Sequence, residues 1–257
     1  HYLDTFFSER ILRDRSAAGL APVAWYNDAG GVTLGLRARD NYLGRFERNQ
    51  MFLTRSTGWG VREADRPVEQ TDWLTRFRNP VALRSAGLSQ EFRAFSMEGR
   101  QGAAVILTRE QRTHLTFGPV TTAGLALEWL SVRDDRFLEP GRYEDHSATL
   151  EGRTLFGWKN RAGAWSLGTD LSFGVGASFT RPGPGLSTEH RRDTQMYFRG
   201  TLEGTARRPL GAGFAVSFRG FAGLAEADRG VVKQRQIFLS GADPYQELLN
   251  PFVRSRG

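Results

Sequence analysis

The chain contains no cysteine, which removes disulfide scaffolds, cysteine-ligated zinc and thiol nucleophiles. Lysine is almost missing: Lys159 and Lys233 are the only two, so the formal net charge of +7 is carried by arginine. Those arginines are dispersed rather than clustered, with no compact basic helix and no aromatic RNA-binding signature, so no nucleic-acid partner is expected. Long apolar runs are lacking as well. No stretch of about 18 apolar residues occurs, which excludes a transmembrane helix. A membrane β-barrel is not excluded, because its strands carry only alternate residues to the lipid.

Catalytic motifs are equally scarce. The four histidines are His1, His114, His146 and His190, and none sits in an H-E-x-x-H pair. A G-x-S-x-G elbow and a phosphate-cradling G-x-x-x-x-G-K-[ST] loop are both absent. His146-Ser147 is no nucleophile–base pair, since adjacent strand residues point to opposite faces. Glu144 and His146 share a face and read as a rim pair. Asp243-Pro244 and Glu247 read as a turn. The expectation is no catalytic residue, no metal ligand and no cofactor.

What the sequence has in abundance is glycine, 30 residues, much of it inside a pattern of period two. Between Ala164 and Phe179 the chain reads AWSLGTDLSFGVGASF. Trp165, Leu167, Leu171, Phe173 and Val175 fall on one set of alternate positions, and Ser, Gly and Asp170 on the other. Alternation of this kind is a β-strand with one apolar face. The same code recurs with Phe156 and Trp158 against Glu151 and Arg153, with Phe198 against Arg199 and Glu203, and with Phe214, Val216 and Phe218 against Arg219. Further examples lie at 32–39 and, more weakly, near 47–58, 85–98, 103–117, 121–132 and 231–240, which makes about ten strands. Asn160–Gly163 and Arg207–Gly213 read as short turns, Val132–Asp145 and Thr180–Asp193 as longer loops. Gly60–Pro80, with Trp73, Leu74 and Phe77, falls on the short-turn side and reads as a plug or cap.

An apolar face along a whole strand needs either a second sheet or a bilayer. Three features favour the bilayer: the other face is small rather than Thr, Lys and Glu, the strands are long enough to cross an apolar band of roughly 25 Å, and aromatics sit near strand ends. The expected fold is therefore all-β, an antiparallel transmembrane β-barrel. Its lipid-facing residues are Trp165, Leu167, Leu171, Phe173, Val175, Phe156, Trp158, Phe198, Phe214, Val216 and Phe218. Glu151, Arg153, Asp170, Arg199, Glu203 and Arg219 face the lumen, as a charge ladder or as a pore lining. Residues 1–21 form an N-terminal amphipathic helix or connector, on the near-helical spacing of Leu3, Phe6, Phe7, Ile11 and Leu12. The barrel domain occupies 22–257 and is expected to continue beyond 257, because the chain does not close on the terminal aromatic residue usual in outer-membrane barrels.

Two stretches carry a resemblance. PVAWYNDAGGVTLGLRARDNYLGRF at Pro22–Phe46 and FLSGADPYQELLNPFVRSRG at Phe238–Gly257 resemble the C-terminal region of large bacterial M1-type, aminopeptidase-like metallopeptidases. In that group a zinc domain precedes an outer-membrane β-barrel. The resemblance implies a module that holds an upstream peptidase domain at the outer membrane, with the lipid bilayer and that domain as partners. No catalytic residue is carried over, since the zinc motif matches nothing in this chain. Three alternatives stand beside this non-catalytic anchor: a barrel that acts as a pore or transport channel, a soluble β-sandwich binding module, and a barrel-embedded lipid-modifying enzyme using His146.

Overall fold

The computed structural model describes residues 17–27, 30–42, 46–61, 70–83, 87–97, 99–113, 118–132, 147–180, 194–211, 214–228, 231 and 235–237. The described residues form one antiparallel sheet of eleven strands and no α-helix. The strands are β1 Ala17–Asn27, β2 Gly31–Tyr42, β3 Phe46–Ser56, β4 Thr71–Leu83, β5 Leu88–Met97, β6 Arg100–Arg112, β7 Val120–Val132, β8 Ser147–Ala162, β9 Trp165–Thr180, β10 Thr194–Gly211 and β11 Phe214–Ala227. Each pairs with its neighbours in sequence, so the order is a pure meander. No pairing joins β1 to β11 among the described residues, and the sheet is open where a closed barrel is expected.

Several sequence expectations change. Thr71–Leu83 is a strand, not part of a plug or cap. It escapes the alternation rule because Trp73 and Leu74 are both apolar and lie on opposite faces. Its recovery moves the connection 57–70 to the end of the sheet that also carries 133–146 and 181–193. The three longest connections therefore share one end, here the loop end. The turns 84–87, Gly163–Ala164 and 212–213 share the other, here the turn end. At the turn end Gly163 takes φ +59°, a left-handed conformation that suits glycine in a tight hairpin. Strand β10 runs through Arg207 to Gly211, past the expected start of a turn, by way of an irregularity between Pro209 and Gly211. The strand expected at 231–240 is not seen at the described positions 231 and 235–237. Ala17–Ala21, assigned to the N-terminal helix or connector, belong to β1 because they pair with Asn41–Arg37 of β2; residues 1–16 lie outside the described residues.

The two faces of the sheet differ sharply. One carries the buried side chains, among them Phe52, Leu74, Phe95, Met97, Glu128, Leu130, Glu151 and Tyr197. The other carries exposed large apolar side chains, such as Leu125 at 60% and Val175 at 57% exposure. Burial on the inner face is also graded along the strands. Near the loop end Val23, Phe52, Leu74, Phe95, Met97 and Leu130 form a continuous apolar cluster, with Trp25 packed against it. Toward the turn end Arg112 and Arg219 of the same face stand open.

The small inner face of β9 now has a physical reason. Register sets Gly176 between Glu151 of β8 and Tyr197 of β10, and Gly174 between Arg153 and Arg199. A Cβ at Gly174 would come within 2.9 Å of both the Arg153 and Glu151 side chains, and one at Gly176 would strike the Tyr197 ring. These glycines are the floor across which long side chains of β8 and β10 meet. Gly176→Val is expected to cost about 1–3 kcal/mol by overpacking. Gly220→Ala, which meets nothing nearby, should stay within about 0.5 kcal/mol of the parent protein. Denaturant midpoints of the two variants check this.

Candidate functional site

Charged residues concentrate on the inner face, in three sets that stitch neighbouring strands. Between β4 and β5, Arg76 donates to Glu91 through Nε at 3.1 Å and Nη2 at 3.0 Å, and Arg93 Nε lies 2.5 Å from the same carboxylate. Between β10 and β11, Arg219 donates to both oxygens of Glu203 at 2.8 and 2.9 Å. The third set is buried, and it is the candidate site.

Glu128 of β7 and Glu151 of β8 stand directly opposite each other in register. Both are almost fully buried, at 2% and 0% exposure. Two like charges directly opposite are mutually destabilising, and a buried carboxylate is costly unless paired and hydrogen-bonded. Three arginines and a tyrosine supply that pairing. Arg153 Nη2 donates to Glu128 Oε2 at 3.2 Å while its Nε lies 3.3 Å from Glu151 Oε1. Arg199 Nη2 donates to Glu151 Oε1 at 2.9 Å, and Tyr197 OH to Glu151 Oε2 at 2.9 Å. Arg235, from the segment after β11, donates through Nε to Thr149 Oγ1 at 2.9 Å and through Nη1 to Glu128 Oε1. Thr149 passes its own proton to the Leu130 carbonyl at 3.5 Å. Against two carboxylates stand three guanidiniums, so the cluster holds one positive charge in excess.

The strand geometry dictates these contacts. Tyr197 and Arg199 lie two strands away from Glu151, and they reach it only because β9 presents glycine between them. Of the residues expected to face a lumen, Glu151, Arg153, Asp170, Arg199, Glu203 and Arg219 all share the inner face. Glu151, Arg153 and Arg199 meet in the buried cluster. Glu203 and Arg219 pair with each other, and Asp170 lies apart from the cluster, exposed beside Glu203 in the register. The residues expected to face lipid share the opposite face: Trp165, Leu167, Leu171, Phe173, Val175, Phe156, Trp158, Phe198, Phe214, Val216 and Phe218. Trp165 there stacks loosely on Phe218, with centroids 6.4 Å apart, and Arg208 lies over its ring at 5.7 Å.

Sequence reading misses Glu128, Thr149, Tyr197 and Arg235. The first three sit at inner positions of recognised strands, and only the register shows that they converge. Arg235 lies in a segment read as a strand, so no signal marks it. The inner apolar cluster is missed for a different reason: Trp25, Phe52, Leu74 and Phe95 occupy positions that the alternation rule assigns to small or polar residues.

No group of His, Cys, Asp and Glu suited to a metal ion occurs among the described residues. All four histidines, Glu144, Asp243 and Glu247 lie outside the described residues, and with them the expected rim pair. Comparison with protein families, with characterised proteins and with solved structures gives no match to this chain.

The arrangement holds strands in register and fills the inner face. Every carboxylate of the buried cluster is already engaged. Glu151→Ala leaves Arg199 and the Tyr197 hydroxyl without their acceptor and Arg153 with Glu128 alone, and breaking a buried pair from one side costs about 3–5 kcal/mol. Glu110→Ala removes only an exposed pair with Arg112, worth about 0–1 kcal/mol. Parallel denaturation of the two variants should show that gap.

Proposed function

We propose that the chain is a transmembrane β-barrel module of an outer membrane, a non-catalytic anchor whose interior is filled. The observation that carries this reading is the inverted polarity of the sheet. A water-soluble sandwich buries apolar residues and exposes polar ones. Here the exposed face is predominantly apolar, while acidic and basic side chains gather on the buried face. Among the described side chains, the charged residues on the exposed face are Asp40, Arg55, Arg109, Arg208 and Glu226, each close to an end of its strand. An exposed apolar surface of this extent marks contact with lipid or another apolar partner.

The aromatic residues add to it. Tyr26, Trp73, Trp129 and Phe179 lie on the exposed face toward the loop end, and Trp158, Trp165, Phe214 and Phe218 toward the turn end. Two such belts are where amphipathic rings settle at the boundaries of a bilayer. Strands of 10 to 18 residues meet or exceed the roughly 9–11 needed to cross at a tilt. In hydrocarbon the outer-edge N–H and C=O groups of β1 and β11 must be paired, so closure of these edges is part of the proposal.

An anchor is favoured over an open pore because the inner face is occupied near the loop end by the Phe52–Phe95–Leu130 cluster and by the buried ion network. What the module anchors is an upstream M1-type peptidase domain, on the resemblance of Pro22–Phe46 and Phe238–Gly257.

Leu127, 55% exposed at mid-strand, tests the reading. In lipid vesicles Leu127→Arg should lower stability by about 2–4 kcal/mol, and the parent chain should be protected from added protease. If the chain is instead a folded monomer without detergent, and Leu127→Arg is neutral or raises its solubility, the soluble sandwich is the correct reading.

A further inference from the structure

Among the described residues, Arg235 is the one charged group of the buried cluster that does not come from the sheet. It lies 107 positions from Glu128 in the chain, yet its guanidinium is 2% exposed, hydrogen-bonded to Glu128 and to Thr149, and 3.7 Å from Glu151 Oε2. The residues around it are seated too. Val231 is buried, and Gln236 Nε2 donates to its carbonyl at 3.0 Å. Ile237 lies against β11 at Gly223, where a Cβ would come 2.6 Å from Ile237 Cδ1. The described residues after β11 thus lie over the inner face, where Arg235 enters a polar receptor built by β7 and β8.

That receptor is defined without its occupant. Two buried carboxylates face each other in register and need a cation between them; Arg153 spans them from within β8, and Arg235 enters from outside the sheet. The Thr149 hydroxyl beside them accepts a further N–H. Two acceptors of different kinds, met at once by Nε and Nη1, match the planar donor fork of a guanidinium and not the single point of an ammonium. The fit is not saturated, since Arg235 Nη2 makes no hydrogen bond among the described residues.

We propose that Glu128, Glu151 and Thr149 form a guanidinium-binding site on the inner face, which Arg235 fills as a tethered ligand, so that Val231 and residues 235–237 act as a removable plug. This rests on the barrel reading above, which makes the inner face an interior. When Arg235 leaves, the site is free for a guanidinium from solution.

The test uses the full chain in planar bilayers, with protease protection in vesicles read for every variant. The parent protein should show no defined channel steps. Arg235→Ala should raise ionic current several-fold, and millimolar guanidinium, but not sodium at the same ionic strength, should suppress it again. Should the alanine variant fail to fold, Arg235→Lys keeps the charge but cannot reach Thr149 and Glu128 together; brief openings that guanidinium suppresses are then expected. A protected variant that conducts like the parent, or whose current ignores guanidinium, overturns the plug and leaves the membrane reading standing. A parent chain that never becomes protected overturns both.

Discussion

The Glu151 carboxylate, held across a glycine gap, is the constraint around which the inner half of the structure is arranged. It is fully buried and faces another carboxylate, so it exists only if cations and donors reach it. Its own strand supplies Arg153, and β10 supplies Tyr197 and Arg199 from two strands away. That reach requires β9 to be bare at Gly174 and Gly176. It also fixes the register of β8, β9 and β10 together, because a slip of one residue would send every one of these side chains to the apolar face. The glycines that weaken an ordinary strand are here the condition for a polar interior.

The apolar face follows from the same alternation. Each strand that turns an arginine or glutamate inward must turn its next residue outward. At mid-strand that residue is Phe, Trp or a small neutral one, as at Phe77, Phe92, Trp129, Gly152, Gly200 and Gly204, while Asp40, Gln101, Gln111 and Arg208 lie near strand ends. Water alone gives no reason for such a surface, whereas a bilayer does. The inner face combines an apolar cluster near the loop end with charges that pair across strands and with Arg235. On the proposed membrane reading, function is a matter of solvent, with lipid outside the sheet and ion pairs inside it. The segment that carries Arg235 completes the interior from beyond the sheet, so the cluster ties the chain after β11 to β7 and β8.

Much of this was legible in the sequence wherever a strand keeps a strict period of two. The stretch around β9 shows both of its faces directly, and the expected inner residues Glu151, Arg153 and Arg199 do converge. The rule fails where both faces are apolar. On β4, Trp73 faces out while Leu74 joins the inner cluster, so the strand looks like an irregular hydrophobic loop. It also cannot see partners across strands, since register depends on how each hairpin closes. That is why Glu128 and Tyr197, each unremarkable on its own strand, carry no signal of their convergence in the sequence. Arg235 lies further beyond reach, because its contacts are set by where the chain goes after the last strand. Closure of the sheet is a third limit: alternation fixes faces but not what the edges of β1 and β11 meet.

The central claim, that one face of this sheet meets lipid, can be read residue by residue because the chain has no native cysteine. The most direct measurement replaces each position from Asp170 to Ser178, except Gly174 and Gly176, by cysteine in turn, attaches an environment-sensitive fluorophore and adds vesicles of bromine-labelled lipid. The account predicts quenching that alternates by face, strong at Leu171, Phe173, Val175 and Ala177 and weak at Asp170, Ser172 and Ser178. Uniform quenching, or none at the apolar positions, would contradict it.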